Sequence, residues 1–100
     1  MARVSIRDIA DMKARGEKVP MITVYDYTSA QLADSAGIPM VLVGDSLGMV
    51  VLGYDSTIPV TMDDMLHHAK AMARGAKRCM IVVDLAFISY QLDDQQALAN

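Results

Sequence analysis

One cysteine, Cys79, occurs in the 100 residues, so no intramolecular disulfide can form, and no Cys/His spacing resembles a zinc site. That usage fits a reducing compartment, and a cytoplasmic location is the expectation. Charge of one sign is nowhere concentrated. Nine Lys and Arg are scattered among twelve Asp and Glu, for a formal net charge of −3 and a pI near 5.1, which leaves no basic footprint for a nucleic acid. The opening MARVSIRDIADMKARG is charged throughout and lacks the apolar centre of a secretory signal, so the mature protein is expected to begin near Met1. The one long apolar stretch, Ala36 to Gly53, is broken by Pro39 and four glycines and carries Asp45 near its middle. At about 2.5 to 3.5 kcal/mol for an aspartate at the centre of a bilayer, a membrane span is excluded. Low-complexity segments and linkers are missing as well, so residues 1–100 read as a single unit.

What remains is a chain that is 53% hydrophobic and 21% charged, enough apolar matter for a core. Ser5 to Arg15 predicts a short helix with Ser5 as its cap, Asp8 closing a capping box, Ile6, Ile9 and Ala10 on one face, and Gly16 as the stop. Met21 to Tyr25, β-branched and aromatic, predicts a strand ending at Asp26. Thr28 or Ser29 can cap the next helix, whose apolar side is Leu32, Ala33 and Ala36, before Gly37. Met40 to Val43 is a second strand, apolar on both faces as parallel strands are. Thr61 and Asp64 form a second capping box, Val60 is placed to staple onto Met65, and the stripe Met62, Met65, Leu66, Ala69, Met72, Ala73, Ala76 keeps helical spacing up to Gly75. Cys79 to Val83 is a third strand, and Asp93 and Asp94 suit the first turn of a last helix. A helix followed by three strand–helix repeats argues for an α/β fold with parallel strands and right-handed crossovers.

Chemistry is expected at one end of that sheet. Asp26, Asp45 and Asp84 each follow an apolar strand directly and would share its carboxyl-terminal rim, where parallel α/β folds bind ligands. A lone aspartate there usually caps the next turn. Three of them, one inside Gly44-Asp45-Ser46 before a glycine-punctuated loop, bring a cation site into range. Hard oxygen donors of this kind suit Mg²⁺, which takes one or two carboxylates and keeps positions for water and substrate. Gly44, Gly48 and Gly53 match neither dinucleotide nor P-loop spacing, so they serve loop geometry. His67 and His68 point about 100° apart on a helix and cannot jointly chelate one ion. Cys79 reads as a small buried hydrophobe, and the nine methionines as core filler. Tyr25, Tyr27, Tyr54 and Tyr90 can each donate near the rim, and nothing in the sequence ranks them.

The run VGDSLGMVVLGYDSTIPVT (Val43 to Thr61), then MDDMLHHAKAMARGAKR, then VVDLAFISYQ (Val82 to Gln91) closely resembles ketopantoate hydroxymethyltransferases, and the resemblance extends over the chain from Ser5. It implies the N-terminal part, about three βα units preceded by a helix, of a TIM (β/α)₈ barrel in a homo-oligomeric enzyme of pantothenate biosynthesis. The implied reaction moves a one-carbon unit from 5,10-methylenetetrahydrofolate to the 2-keto acid 3-methyl-2-oxobutanoate, giving 2-dehydropantoate. Carried over by the resemblance, Asp45 and Asp84 are Mg²⁺ ligands, and Asp45, Ser46 and Asp84 contact the keto acid, while Asp26 drops to a supporting role. The family's substrate-binding lysine, a further metal-ligand glutamate and the glutamate general base are expected beyond Asn100. A barrel of this kind needs roughly 250 residues, and without a base the deprotonation slows by on the order of 10²- to 10⁴-fold. Ala86 stands where the family usually has proline. Two other expectations compete with this one: a non-catalytic barrel module that docks on a partner, and another enolate-forming barrel enzyme acting on a related 2-keto acid.

Overall fold

Residues 2–100 are described by a computed structural model. Five helices and three strands follow one another as α1 (Ile6–Ala14), β1 (Met21–Thr23), α2 (Tyr27–Ser35), β2 (Met40–Val43), α3 (Leu47–Val50), α4 (Met62–Gly75), β3 (Met80–Val83) and α5 (Asp94–Ala99). The strands form one parallel sheet in the order β1-β2-β3, with Met21, Met40 and Met80 in one row and Ile22, Val41 and Ile81 in the next. Sequential order and parallel pairing are the arrangement of consecutive βα units, so the α/β reading of the sequence holds.

Side chains alternate across that sheet, and only one face is closed. Val41 and Val43 are completely buried together with Met65 and Met72 of α4 and Ala30 of α2. Each fully buried Val, Leu or Met side chain stabilises by about 1.5 to 3 kcal/mol. Met40 and Leu42 point to the other face and are only half-buried. The two capping boxes form as expected, Ser5 with Asp8 and Thr61 with Asp64. Val60 and Met65, the staple pair, are both in the buried cluster.

Five expectations need correction. β1 stops at Thr23 and not Tyr25, because Val24 still donates to the carbonyl of Leu42 (3.1 Å) but the chain then turns into a cap. That cap is Asp26, whose side chain accepts from the Ser29 amide, so neither Thr28 nor Ser29 caps α2. β3 begins at Met80, one residue after Cys79. The glycine loop after β2 contains a helical turn, α3, that the apolar run concealed. Ile6, Leu32 and Leu66 were expected on buried faces and are exposed, Ile6 to 80%.

The amino-terminal end of the sheet is tied by one carboxylate. Asp34 at the end of α2 accepts the backbone N–H groups of Cys79 (2.8 Å), Arg78 (3.0 Å) and Lys77 (3.2 Å). The Arg78 guanidinium in turn donates to the carbonyls of Ile38 (2.8 Å) and Asp34 (3.3 Å), and Arg3 donates to the carbonyl of Cys79 (2.7 Å). Burial alone would push the Asp34 carboxyl up, but the amides of Cys79, Arg78 and Lys77 together outweigh it and hold the carboxyl below its ordinary value. The Cys79 thiol, buried first of all and then facing the Asp34 charge, is pushed up to about 11, so it stays protonated and unreactive at neutral pH.

α2 and α4 cross closely because Gly75 has no side chain. A Cβ there would lie 2.6 Å from the Tyr27 carbonyl oxygen and 3.1 Å from the Ala30 Cβ, both on a helix that cannot yield locally. Gly75→Ala is therefore expected to destabilise the protein by about 1 to 3 kcal/mol, the usual range for overpacking, seen as a lower denaturant midpoint. Asp34→Asn removes the carboxylate and should cost about 2 kcal/mol at neutral pH. Because the folded-state pKa of Asp34 is lowered, its contribution is present above the ordinary value of 3.8 and is lost as pH falls through the lowered one. Melting curves from pH 6 to pH 2 should show a smaller acid-induced loss for the Asn variant than for the parent.

Candidate metal and substrate site

β2 and β3 end side by side, and their ends make the site. Val43 pairs with Val83, the Asp84 amide then donates to the Val43 carbonyl (3.0 Å), and the next amide of the neighbouring strand, that of Asp45, donates to Asp84 Oδ2 (3.0 Å). The parallel register thus carries both aspartates to the same rim position. Asp45, Val83, Asp84, Leu85 and Tyr90 line one open cleft of about 410 Å³.

Local geometry then turns the chain away. The Leu47, Gly48 and Met49 amides donate to the carbonyls of Gly44, Asp45 and Ser46, so helical turning begins at Gly44, straight off the strand. Leu47 and Gly48 go inward and are buried, which leaves Asp45 and Ser46 half-buried at the rim. Gly48 has no room for a side chain, since a Cβ would overlap the Val60 methyl group. Ser46 occupies the N-cap position of α3 but makes no cap hydrogen bond. Its hydroxyl is instead 2.8 Å from the phenol oxygen of Tyr25.

The bare Cα of Gly44 keeps the site open. An added Cβ would come within 3.1 Å of Ser46 Oγ and 3.5 Å of Asp84 Oδ2, so the hydroxyl and the carboxylate border the same small space. The residues fit a hard divalent cation: two aspartates line one cleft with no Lys, Arg or His in an ion pair with either among the described residues, and the Ser46 hydroxyl borders the space beside Asp84. Among the described residues no third His, Cys, Asp or Glu joins them to form a complete protein cage. Mg²⁺ does not require one, because it keeps waters and substrate oxygens in its shell.

The third rim aspartate behaves differently. Asp26 is exposed, and the Ser29 amide on its Oδ1 (2.7 Å) holds its carboxyl below the usual range, with the His68 charge adding a little. It is a helix cap and does not line the cleft. His68 is partly buried with Nδ1 2.6 Å from the Tyr25 carbonyl oxygen, so Nδ1 carries a proton and donates, while His67 is exposed and meets it edge-on at 5.4 Å. Tyr25 and Tyr90 are the site residues that sequence reasoning left unranked. Tyr25 lies two residues past β1 and one before Asp26, and only its contact with Ser46 separates it from the other tyrosines.

No helix among the described residues is long and apolar enough to cross a membrane. The family model described as Ketopantoate hydroxymethyltransferase matches residues 3–100. A 3-methyl-2-oxobutanoate hydroxymethyltransferase of Chloroflexus aggregans is 60% identical over 97 residues, covering 97% of this chain and 35% of its own length. Enzymes of the same name from Carboxydothermus hydrogenoformans and Dehalococcoides mccartyi are 58% identical over 100 residues and 55% over 98, covering 100% and 98% of this chain and 36% and 35% of their own lengths. The chain spans about a third of the length of the curated relatives it matches. With a profile match over nearly every residue and identities above half, the chain belongs to the ketopantoate hydroxymethyltransferase family.

Proposed function

We propose that the intact protein transfers a one-carbon unit from 5,10-methylenetetrahydrofolate to 3-methyl-2-oxobutanoate to form 2-dehydropantoate, in pantothenate biosynthesis, and that this segment supplies its metal and keto-acid site. The observation that carries the reading is the meeting of Asp45 and Asp84 in one cleft, joined by the Asp45 amide on Asp84 Oδ2. Asp45 and Asp84 would hold Mg²⁺, and the ion, when bound, supplies a Lewis acid beside a keto group that makes the neighbouring C–H more acidic.

The chain's own residues do the rest of the positioning. The amide link fixes Asp84 with one oxygen engaged, so its other oxygen has a defined direction. Ser46 offers a hydroxyl beside the carboxylates and would donate to the substrate carboxylate, holding the keto acid in one orientation. Among the described residues lining the cleft the only basic groups at neutral pH are the two carboxylates, and both are committed to the cation. In this reading the proton acceptor for C3 is the glutamate that the family resemblance places after Asn100. In this reading the partners are small molecules, a 2-keto acid and a folate.

Asp45→Ala and Asp84→Ala in the full-length enzyme should each lower Mg²⁺-dependent ketopantoate formation by on the order of 100-fold or more, the scale already reached by losing outer-shell partners. Titration calorimetry should show weaker Mg²⁺ binding in both. Undiminished turnover in the two variants removes the assignment. Gly44→Ala pushes a methyl against Ser46 Oγ by a few tenths of an ångström. It is expected to raise the KM for the keto acid by roughly 10-fold, with little change in melting temperature, and steady-state kinetics beside a thermal melt check both halves.

A further inference from the structure

We infer that Tyr25 is a positioning residue that sets the direction of the Ser46 proton, making the Ser46 hydroxyl a donor toward the keto-acid carboxylate. The inference deepens the functional reading above and rests on it. Its basis is the 2.8 Å contact between the Tyr25 phenol and Ser46 Oγ, which takes the Ser46 side chain out of its N-cap role on α3.

A serine hydroxyl has one proton and two lone pairs, and its rotor is free unless a neighbour fixes it. A carboxylate can only accept. If Ser46 is to give its proton to a substrate carboxylate, the Tyr25–Ser46 bond must run the other way, with the phenol donating and Ser46 Oγ accepting. The three groups then form a one-way chain from Tyr25 to Ser46 to the substrate, in which each donated bond polarises the next. With the phenol occupying one lone pair, the Ser46 proton is directed away from Tyr25, and Oγ borders the space at Gly44 that Asp84 Oδ2 shares. An acceptor placed against Oγ is favoured over a donor, and an oxygen of the keto-acid carboxylate is such an acceptor.

Tyr25 is itself held at its backbone. The Val24 amide donates to Leu42 (3.1 Å), tying the end of β1 to β2, and His68 of α4 donates from Nδ1 to the Tyr25 carbonyl (2.6 Å). The ring packs against the buried cluster, and the phenol is partly buried. An aromatic side chain with two torsions, anchored this way, loses little freedom on presenting its hydroxyl, so the phenol is prepositioned before substrate arrives.

Tyr25→Phe in the full-length enzyme keeps the ring and removes the donor. It should raise the KM for 3-methyl-2-oxobutanoate by roughly 10-fold, the scale of one neutral hydrogen bond, with a smaller fall in kcat and a melting temperature close to that of the parent. Ser46→Ala should raise the same KM, and Tyr25→Phe added to Ser46→Ala should then have no further effect, because the phenol acts only through the hydroxyl. Replacing Tyr25 with a ring-fluorinated tyrosine, a stronger donor of the same shape, should return the KM to the parent value or below it at a pH where the phenol stays protonated. The inference is overturned if Ser46→Ala raises the KM while Tyr25→Phe leaves it unchanged, if the two effects add in full, or if the fluorinated ring raises the KM as an accepting phenol would. An unchanged KM in Ser46→Ala overturns the role given to Ser46 itself, and the inference falls with it.

Discussion

The register between β2 and β3 decides where chemistry can occur. Val43 stands opposite Val83, and the hydrogen-bond ladder does not stop at that pair: it runs on through the Asp84 amide to Val43 and then, with no backbone acceptor left, through the Asp45 amide to the side chain of Asp84. A backbone N–H at the end of a strand must find a partner or lose about 1 to 3 kcal/mol if it is shielded from water. Here the partner is a carboxylate, so the same interaction that finishes the sheet also orients a candidate metal ligand. A slip of one residue in either strand would separate the pair and turn every side chain on that strand to the other face. The buried Val41 and Val43 prevent such a slip, since moving them outward would empty the core between β2 and α4.

The sheet therefore uses its aspartates in distinct ways at its two ends. Asp34, at the amino-terminal end, accepts three amides and is a structural tie between α2 and the start of β3. Asp26 accepts one amide and caps a helix. The Asp45 carboxylate accepts no hydrogen bond from the described residues, and Asp84 spends one oxygen only. Carboxylates are stabilised by what they accept, and a group already satisfied by amides has little left to offer a cation. The division follows a familiar asymmetry of parallel barrels, in which one end of the strands carries stability and the other carries the reacting groups.

Much of this was legible in the sequence because local signals agreed with one another. Capping boxes at Ser5 and Thr61, the stop glycines Gly16 and Gly37 with φ of 76° and 84°, and the bounds of β2 all follow from residue chemistry within a few positions. The misses have physical causes. α3 was concealed because Leu47-Gly48-Met49-Val50 has too few polar residues to show helical spacing, and because its one candidate cap, Ser46, bonds to a tyrosine 21 residues away. The cap of α2 was misplaced because Asp26, Thr28 and Ser29 are all good caps, and only the extended backbone at Asp26 chooses among them. Asp34 carried no sequence signal at all, since its partners lie 43 to 45 residues on. The pairing of Asp45 with Asp84 could be suggested from their positions after strands, but Tyr25 could be separated from the other tyrosines only by geometry.

The exposed apolar surface has the same origin as the open sheet. β1 and β3 have a neighbour on one side only, and Met21, Met40 and Met80 form a row across the face that no helix covers. On the other side, Ile22, Val24, Leu32, Ala33, Ala36 and Ile38 line an apolar groove of about 400 Å³ between β1 and α2. Unpaired strand edges and grooves of this kind are costly in water and invite association. In a barrel the same features are satisfied at once: the sheet closes on its edges, the methionine row becomes interior packing, and the groove receives the helix of the adjoining unit. Leu32, expected on a buried face and exposed here, is one of the residues lining that groove. Asp45, Asp84 and the Tyr25–Ser46 pair are the exception, since the three strands alone bring them together.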